Sequence, residues 1–458
     1  MLEAQLSQTL EQIVGSENFS LTDADRVLHG RDQSSHPPHL PDAVIWPQNS
    51  QQVSQILRQA NQHRIPIVGW GAGSSLEGNP IPVHGGMVVN FQQMNKILAL
   101  HTADFQVTVQ PGIFYKDMNK ILGQHGLFFA PDPGANASIG GMIANNAAGT
   151  RTVKYGATCD NVLALEVVLA NGEIIRTGSR SLKQSAGYDL THLLIGSEGT
   201  LGLVTEATLK LAPLPERFSA VLASFDSTAA AAEAVYSIIS FGLTPAALEL
   251  LDAAAITYMN QDKAIDLPVI PTLLMEFHGP TAETLNNELQ LVEKICMECG
   301  GRHFEAGVGR DERDRLWHGR HQLGEILFRA HPQSTYLITD VSVPISSYPK
   351  LAAYTSDLMQ TMDIPGALFG HAGDGNLHTI VFAPKAEVAA HANLHRFNDQ
   401  VVHKAINLEG TCTGEHGVGI GKQKYMVHEH GEAAINLMRQ IKTTLDPHNI
   451  LNPGKVLG

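Results

Sequence analysis

The sequence predicts an α+β fold of two domains: a two-lobed first domain rich in glycine loops, and a second in which helices alternate with strands. Three observations predict it. The 458 residues give room for two or three cores. Short strand-like apolar runs fill the front half, separated by Gly, Ser, Asn and Pro. After Pro213 and Pro215 the composition shifts to alanine-rich helix, as in 227–239, and strand-like and helical periods then interleave. The expected parts are an N-terminal helical segment over 1–40, a first domain over 41–215, a second over 216–445, and a tail over 446–458 that returns to the first domain.

Residues 51–62 read as a helix, because Val53, Ile56, Leu57 and Ala60 recur at helical spacing and Ser50 can cap it. Residues 66–70, 87–90 and 106–110 read as strands. A helix over 114–124 puts Tyr115, Met118, Ile121 and Leu122 on one face. Residues 162–177 read as a hairpin around Asn171-Gly172, a dipeptide suited to tight strand reversal. A strand over 201–211 precedes the two prolines. In the second domain strands are expected at 272–277, 336–343, 367–371 and 377–382, and helices at 311–329, 349–361 and 391–408. No internal repeat is visible.

Composition excludes several classes. A formal net charge of −14 argues against sequence-independent binding to nucleic acid or to anionic lipid. No apolar run approaches a membrane span, and the first residues lack the features of a signal or transit peptide. Cys159, Cys296, Cys299 and Cys412 do not make a disulfide scaffold for a chain this long. The expected location is the cytoplasm, with peripheral attachment to the inner membrane left open.

The most informative segment is His371-Ala-Gly-Asp-Gly-Asn-Leu-His378, followed downstream by Gly414-Glu415-His416-Gly417. Two imidazoles and a carboxylate are a usual first shell for a borderline divalent cation. Gly373 and Gly375 rule out a shared helix face, but a turn over 372–376 lets two adjacent strand ends aim both rings at one point. His371, His378 and Glu415 are therefore the candidate metal ligands, for zinc first and manganese second. The plain alternative is a set of polar turn histidines.

Three glycine-rich segments stand in the front half: 69–75, 131–149 and 196–202. The first follows a strand, yet Leu76-Glu-Gly-Asn-Pro80 does not continue as a helix, so a dinucleotide fingerprint is excluded. Gly421-Lys422 lacks the glycine and hydroxyl of a triphosphate loop. Successive glycines and serines still let backbone N–H groups approach phosphate oxygens. One such loop is ordinary; three in one domain favour a long bound cofactor.

These segments, with the run GSEGTLGLVTEATL at 196–209 and NPGK at 452–455, resemble flavoproteins of the vanillyl-alcohol oxidase type over nearly the whole chain from about Pro41. The subset most similar is the FAD-dependent D-2-hydroxyacid dehydrogenases. Within it, 339–346 and 410–422 look most like the cytochrome-type D-lactate dehydrogenases. The resemblance implies an FAD-binding domain and a substrate (cap) domain. By match of motif, Gly71, Ala72, Gly73, Ser74 and Ser75 would cradle the FAD pyrophosphate. Pro133, Gly134, Ser138, Gly141, Asn145 and Gly149 would line the cofactor further along, Gly199 and Val204 would pack near the adenine, and Asn452 would reach back from the tail. Some relatives tether flavin to a His or Cys; residues 69–78 contain neither, so FAD is expected to be non-covalent.

Oxidising a 2-hydroxy acid requires that the hydroxyl lose a proton, that Cα deliver a hydride, and that the carboxylate be held. His416 is the candidate base. Arg313, Trp317 and Arg320 share a helical face, and Arg320 matches the family's carboxylate-binding position. Relatives acting on five-carbon dicarboxylates carry polar or basic groups at the positions that align with Gly324 and Ile338; both are uncharged here, so the resemblance implies a short or apolar monocarboxylate such as D-lactate. The expected electron acceptor is a quinone, a cytochrome or an electron-transfer flavoprotein, and a homodimer is left open. Rival readings are a glycolate or D-2-hydroxyglutarate dehydrogenase, a flavin-binding subunit of a larger oxidoreductase, and a flavin-free metal hydrolase. Cys296 and Cys299 are set aside as helix-end residues, and Asp340 is either an ordinary strand-end residue or a partner of a ligating histidine.

Overall fold

A computed structural model describes residues 2–262, 266–308 and 310–458, with side chains throughout except at 308, 310–313 and 388. The chain divides into two compact units, one of Met1–Ala148, Gly156–Leu214 and Glu415–Gly458, the other of Gly149–Tyr155 and Pro215–Gly414.

The first unit has two lobes, each a sheet with its own core. In one, the strands run in the order Phe19–Ser20, Ala43–Ile45, Met87–Asn90 and Ile67–Trp70, the last three mutually parallel. Their near-continuous apolar runs are buried, as parallel strands covered on both faces require. Helices Ala4–Val14 and Ser50–His63 bury Leu6, Leu10, Val14, Ile56 and Leu57 in that core. The N-terminal segment thus contributes helix Ala4–Val14 to this lobe's core. Asn49, not Ser50, caps the second helix, accepting from Gln52 N at 3.0 Å. Ser50 instead donates to Glu166.

The other lobe is a five-stranded antiparallel sheet in the order Ile97–His101, Gln106–Val109, Leu203–Lys210, Val162–Val168 and Ile174–Gly178. The Asn171-Gly172 hairpin closes through a Leu169 N–Glu173 O bond of 2.9 Å, and Gly172 alone in the loop takes a left-handed φ of 81°. On helix Tyr115–Gly123, Tyr115, Met118 and Leu122 are buried while Ile121 turns to solvent. The C-terminal tail is bonded to this unit: Ile67 donates to Ile450 O and accepts from Asn452 N, both at 2.7 Å. The return begins at Glu415 rather than at 446, because helix Met426–Leu445 packs Ile441 and Leu445 against the antiparallel-sheet core.

The second unit is one seven-stranded antiparallel sheet in the order Gly301–Val308, Arg217–Phe225, Thr272–Gly279, Ala247–Leu251, Gly366–Gly370, Asn376–Pro384 and Ser334–Ser342. Four of these were expected. Arg217–Phe225, Ala247–Leu251 and Gly301–Val308 lie where the sequence reading assigns nothing. Helices Thr228–Ser240, Arg310–Ala330, Tyr348–Thr361 and Val388–Asn407 accompany the sheet. Ser227 caps the first of these, accepting from Ala230 N at 3.2 Å. Gly149–Tyr155 joins this unit, with Tyr155 Oη 2.9 Å from His278 Nδ1. Among the described residues no helix is long and apolar enough to cross a membrane.

Candidate active site

In the second unit, strand Gly366–Gly370 ends one residue before His371, and strand Asn376–Pro384 starts two residues before His378. A tight turn over Ala372–Asp374 and a left-handed Gly375 (φ 81°) connect them. Gly375 admits no side chain, because a Cβ there would stand 2.1 Å from Val343 O. The two rings come together at 5.3 Å between centroids, nearly perpendicular at 88°. Each offers a ligating nitrogen within 4.8 Å of the other's. Both are buried, at 7% and 4% exposure. Imidazoles brought this close suit a shared divalent cation, so the residues fit the metal the sequence suggests.

Beside them lies a carboxylate absent from the sequence reading. Glu249, fully buried on strand Ala247–Leu251, accepts from His371 Nδ1 at 2.6 Å. Its other oxygen accepts from Arg320 Nε at 2.7 Å, with Nη2 at 2.6 Å. Burial alone would raise this carboxyl, but Arg320 and His371 outweigh it and hold it below its ordinary value. The Arg320 guanidinium also lies over the Phe369 ring, 4.9 Å from its centroid. The Arg313 side chain lies outside the described residues.

Asp340 sits across the ladder from His378, with Oδ1 3.6 Å from His378 Nδ1. That distance is too long for a hydrogen bond. Its oxygens accept from Asn376 Nδ2 at 2.8 Å, Thr413 Oγ1 at 2.9 Å and Gly414 N at 2.9 Å. Asp340 thus fixes the turn whose next residue is Glu415. Cys412 is a small buried residue of the same turn, and burial pushes the Cys296 thiol up to about 12, which leaves it inert at neutral pH.

In the first unit, Gly71, Ala72, Gly73, Ser74 and Ser75 form a half-buried loop after strand Ile67–Trp70, with no helix following. Its close fit requires small residues. A Cβ on Gly71 would stand 2.1 Å from Ser138 Oγ, and one on Gly73 (φ 66°) would stand 2.5 Å from Trp70 Cζ2. Ser138 begins helix Ile139–Asn145 and accepts from Gly141 N at 3.3 Å. The first and second glycine segments therefore meet, as a common cradle for a phosphate-bearing cofactor needs. Pro133 is half-buried, and its carbonyl accepts from Tyr115 Oη. Gly134 is exposed, and a Cβ there would meet nothing within 4 Å. Val204 is half-buried on Leu203–Lys210, and Gly199 takes φ 71° in the preceding loop. Gly149 groups with the second unit rather than with the cofactor segment. Asn452 donates to Asn79 O at 3.1 Å and Glu198 O at 2.7 Å, so its amide ties together the loops around them.

The Glu-His loop is anchored within the same unit. The His416 carbonyl accepts from Asn145 Nδ2 at 3.3 Å and Asn79 Nδ2 at 3.4 Å. Glu198, buried and left-handed at φ 52°, accepts from Val418 N at 2.6 Å, Gly419 N at 2.9 Å and Asn79 Nδ2 at 2.6 Å. Burial pushes the Glu198 carboxyl up against these donors. Glu415 and His416 are neighbours, with Oε1 and Nε2 3.9 Å apart. Glu198 and Glu249 were both missed; the available signal was a carboxylate inside an apolar or glycine run.

Comparison with known proteins gives two family matches, the second of which runs on into the segment that packs with the first unit. Residues 41–178 match an FAD-binding domain, and residues 214–456 match the C-terminal domain of FAD-linked oxidases. The chain is 38% identical to the mitochondrial D-lactate dehydrogenase [cytochrome] of Arabidopsis thaliana, over 100% of this chain and 80% of that protein. It is 39% identical to a glycolate oxidase subunit of Bacillus subtilis, over 100% and 97%. In fold it is similar to p-cresol methylhydroxylase with substrate bound, at a TM-score of 0.79 and 18% identity over 99% and 96% of the two chains.

Proposed function

The chain belongs to the FAD-linked oxidases, and from that membership we propose that it oxidises a D-2-hydroxy acid, D-lactate first, to the 2-oxo acid. The observation that carries this reading is the buried pair His371 and His378, with Arg320 and His371 both held on Glu249. His371, His378 and Glu415 would bind a divalent metal, zinc or manganese. When bound, FAD supplies a hydride acceptor, and the metal supplies a positive charge that acidifies the substrate hydroxyl.

The chain's own residues do the rest. Arg320 holds the substrate carboxylate through its outer N–H groups, since Nε and Nη2 already face Glu249. His416 takes the hydroxyl proton, a contribution of roughly 10²–10⁴ in rate. Gly71, Gly73, Ser138 and Gly141 cradle FAD, which is held without a covalent tether. Gly324 and Ile338 put no charge near the substrate, which favours a short chain. Electrons then pass to a quinone, cytochrome or flavoprotein acceptor.

A second reading is supported by the Bacillus subtilis relative: glycolate as substrate, within a larger oxidoreductase. Anaerobic bleaching of the flavin against D-lactate, L-lactate, glycolate and D-2-hydroxyglutarate separates them. Fastest bleaching by D-lactate, lost on chelation and restored by zinc or manganese, is expected. Equal or faster bleaching by another of these acids would defeat the lactate choice. His416→Ala is expected to retain FAD without bleaching, and an unchanged rate would remove His416 from the mechanism.

A further inference from the structure

Glu249 lies mid-strand between Leu248 and Leu250, both buried. A carboxylate in such surroundings is strongly disfavoured unless every oxygen is matched. Sheet register explains its first partner: Leu250 pairs with Gly370, so Glu249 is the cross-strand neighbour of His371. The 2.6 Å contact to Nδ1 places the proton on that nitrogen and turns the Nε2 lone pair outward. The second oxygen accepts from Arg320 Nε, with Nη2 2.6 Å away in the ion pair, which leaves N–H groups of Nη1 and Nη2 for an incoming anion. At His378 the nearby carboxylate, Asp340, stands 3.6 Å from Nδ1 and is engaged by Asn376, Thr413 and Gly414.

We propose that Glu249 is a positioning residue with two arms, one fixing the tautomer of His371 and the other aiming Arg320, so that metal holding and carboxylate holding depend on one side chain. This rests on the reading of His371 as a metal ligand and of Arg320 as the carboxylate holder. Glu249 itself touches neither metal nor substrate.

The test uses the full FAD-loaded chain and the variants Glu249→Gln, His371→Ala and Arg320→Met. Glutamine keeps the volume but offers one acceptor, and its NH₂ faces the donors of one arm. Two readouts are independent of turnover. One is Zn²⁺ affinity without substrate, by competition with a chromogenic chelator. The other is binding of D-lactate to chelator-treated protein, followed by the flavin difference spectrum. Glu249→Gln is expected to lose about 10- to 100-fold in Zn²⁺ affinity and to weaken D-lactate binding at least tenfold. His371→Ala should lose the first alone and Arg320→Met the second alone. A merely structural role would move neither readout selectively.

Unchanged Zn²⁺ affinity in Glu249→Gln, with the loss present in His371→Ala, overturns the inference and leaves the metal reading standing. No loss in His371→Ala removes both. If Glu249→Gln does not fold, ¹⁵N NMR of His371 in the metal-free wild-type protein decides. The Nδ1–H tautomer supports the proposal, and the Nε2–H tautomer overturns it.

Discussion

Gly71→Ala tests whether the first two glycine segments form one cradle. The new Cβ would stand 2.1 Å from Ser138 Oγ, while the next contacts, Ser138 Cβ at 3.4 Å and Gly141 N at 3.8 Å, are ordinary. The hydroxyl must therefore rotate away and release its bond from Gly141 N. Losing such a helix cap costs about 1 kcal/mol, or about fivefold in local opening. Ser138→Ala removes the same bond and also removes the clash, so adding Gly71→Ala to it should cost nothing further. Alanine's smaller unfolded-state entropy could even return roughly 0.4–1 kcal/mol. The coupling between the two substitutions is thus about 1 kcal/mol. Amide hydrogen exchange over Ile139–Asn145 in flavin-stripped protein reads this locally, without assuming that the two units unfold together. Faster exchange by about fivefold in either single variant, and no additional change in the double variant, is expected. Equal effects of Gly71→Ala in both backgrounds would refute the shared cradle.

Gly419→Ala should cut turnover with D-lactate at least tenfold while FAD stays bound. At φ 48° its Cβ would stand 2.1 Å from the backbone oxygen of Glu77, so the loop carrying Glu415 and His416 must shift; normal turnover would show that its placement is immaterial. Asp340→Asn replaces an oxygen that accepts from Thr413 Oγ1 and Gly414 N, bonds to a charged group worth about 1.5–3 kcal/mol each. Exchange at the Gly414 amide should accelerate, and an unchanged rate would dismiss Asp340 as the anchor. Burial pushes the Asp252 carboxyl from its ordinary 3.8 up to about 6, against donors that include Ala255 and Leu368 N–H. The folded protein then keeps this proton where the unfolded chain has released it, so stability from this group is lost as pH rises from about 4 to 6. The loss is about 3 kcal/mol. Urea midpoints of Asp252→Asn against wild type at pH 4 and 7 check this: the variant should lack that decline, and parallel curves would contradict it.

What the sequence disclosed was mostly local. Asn171-Gly172 closes a hairpin and the alanine-rich run from 227 forms helix Thr228–Ser240 because a few adjacent residues decide each outcome. The turn between His371 and His378 was legible for the same reason, since the left-handed Gly375 permits the reversal that brings the rings together. Even local signals fail by one residue where two candidates compete. Asn49 and Ser50 can each cap a helix, and the pull of Glu166, over a hundred positions away, decides between them.

Glu249 marks the deeper limit. Ala-Leu-Glu-Leu-Leu reads as an apolar strand with one misplaced charge, and nothing nearby in sequence explains it. Its partners lie 71 and 122 positions away, and they meet only because Ala247–Leu251 is inserted between Thr272–Gly279 and Gly366–Gly370 in the sheet. Strand order is set by which apolar faces fit together, a property of the whole unit that no sequence window contains. The unit boundaries at Gly149 and Glu415 have the same origin: the packing of Ile441 and Leu445, not a change in composition at 415, assigns the final segment to the first unit. Residues that do chemistry tend to sit in glycine turns that leave a local signature, whereas residues that hold them in place sit in the core, where their identity makes sense only against distant partners. A charge that violates an apolar pattern is therefore the sequence feature most worth pursuing, because burying it is tolerable only when the fold supplies partners for it.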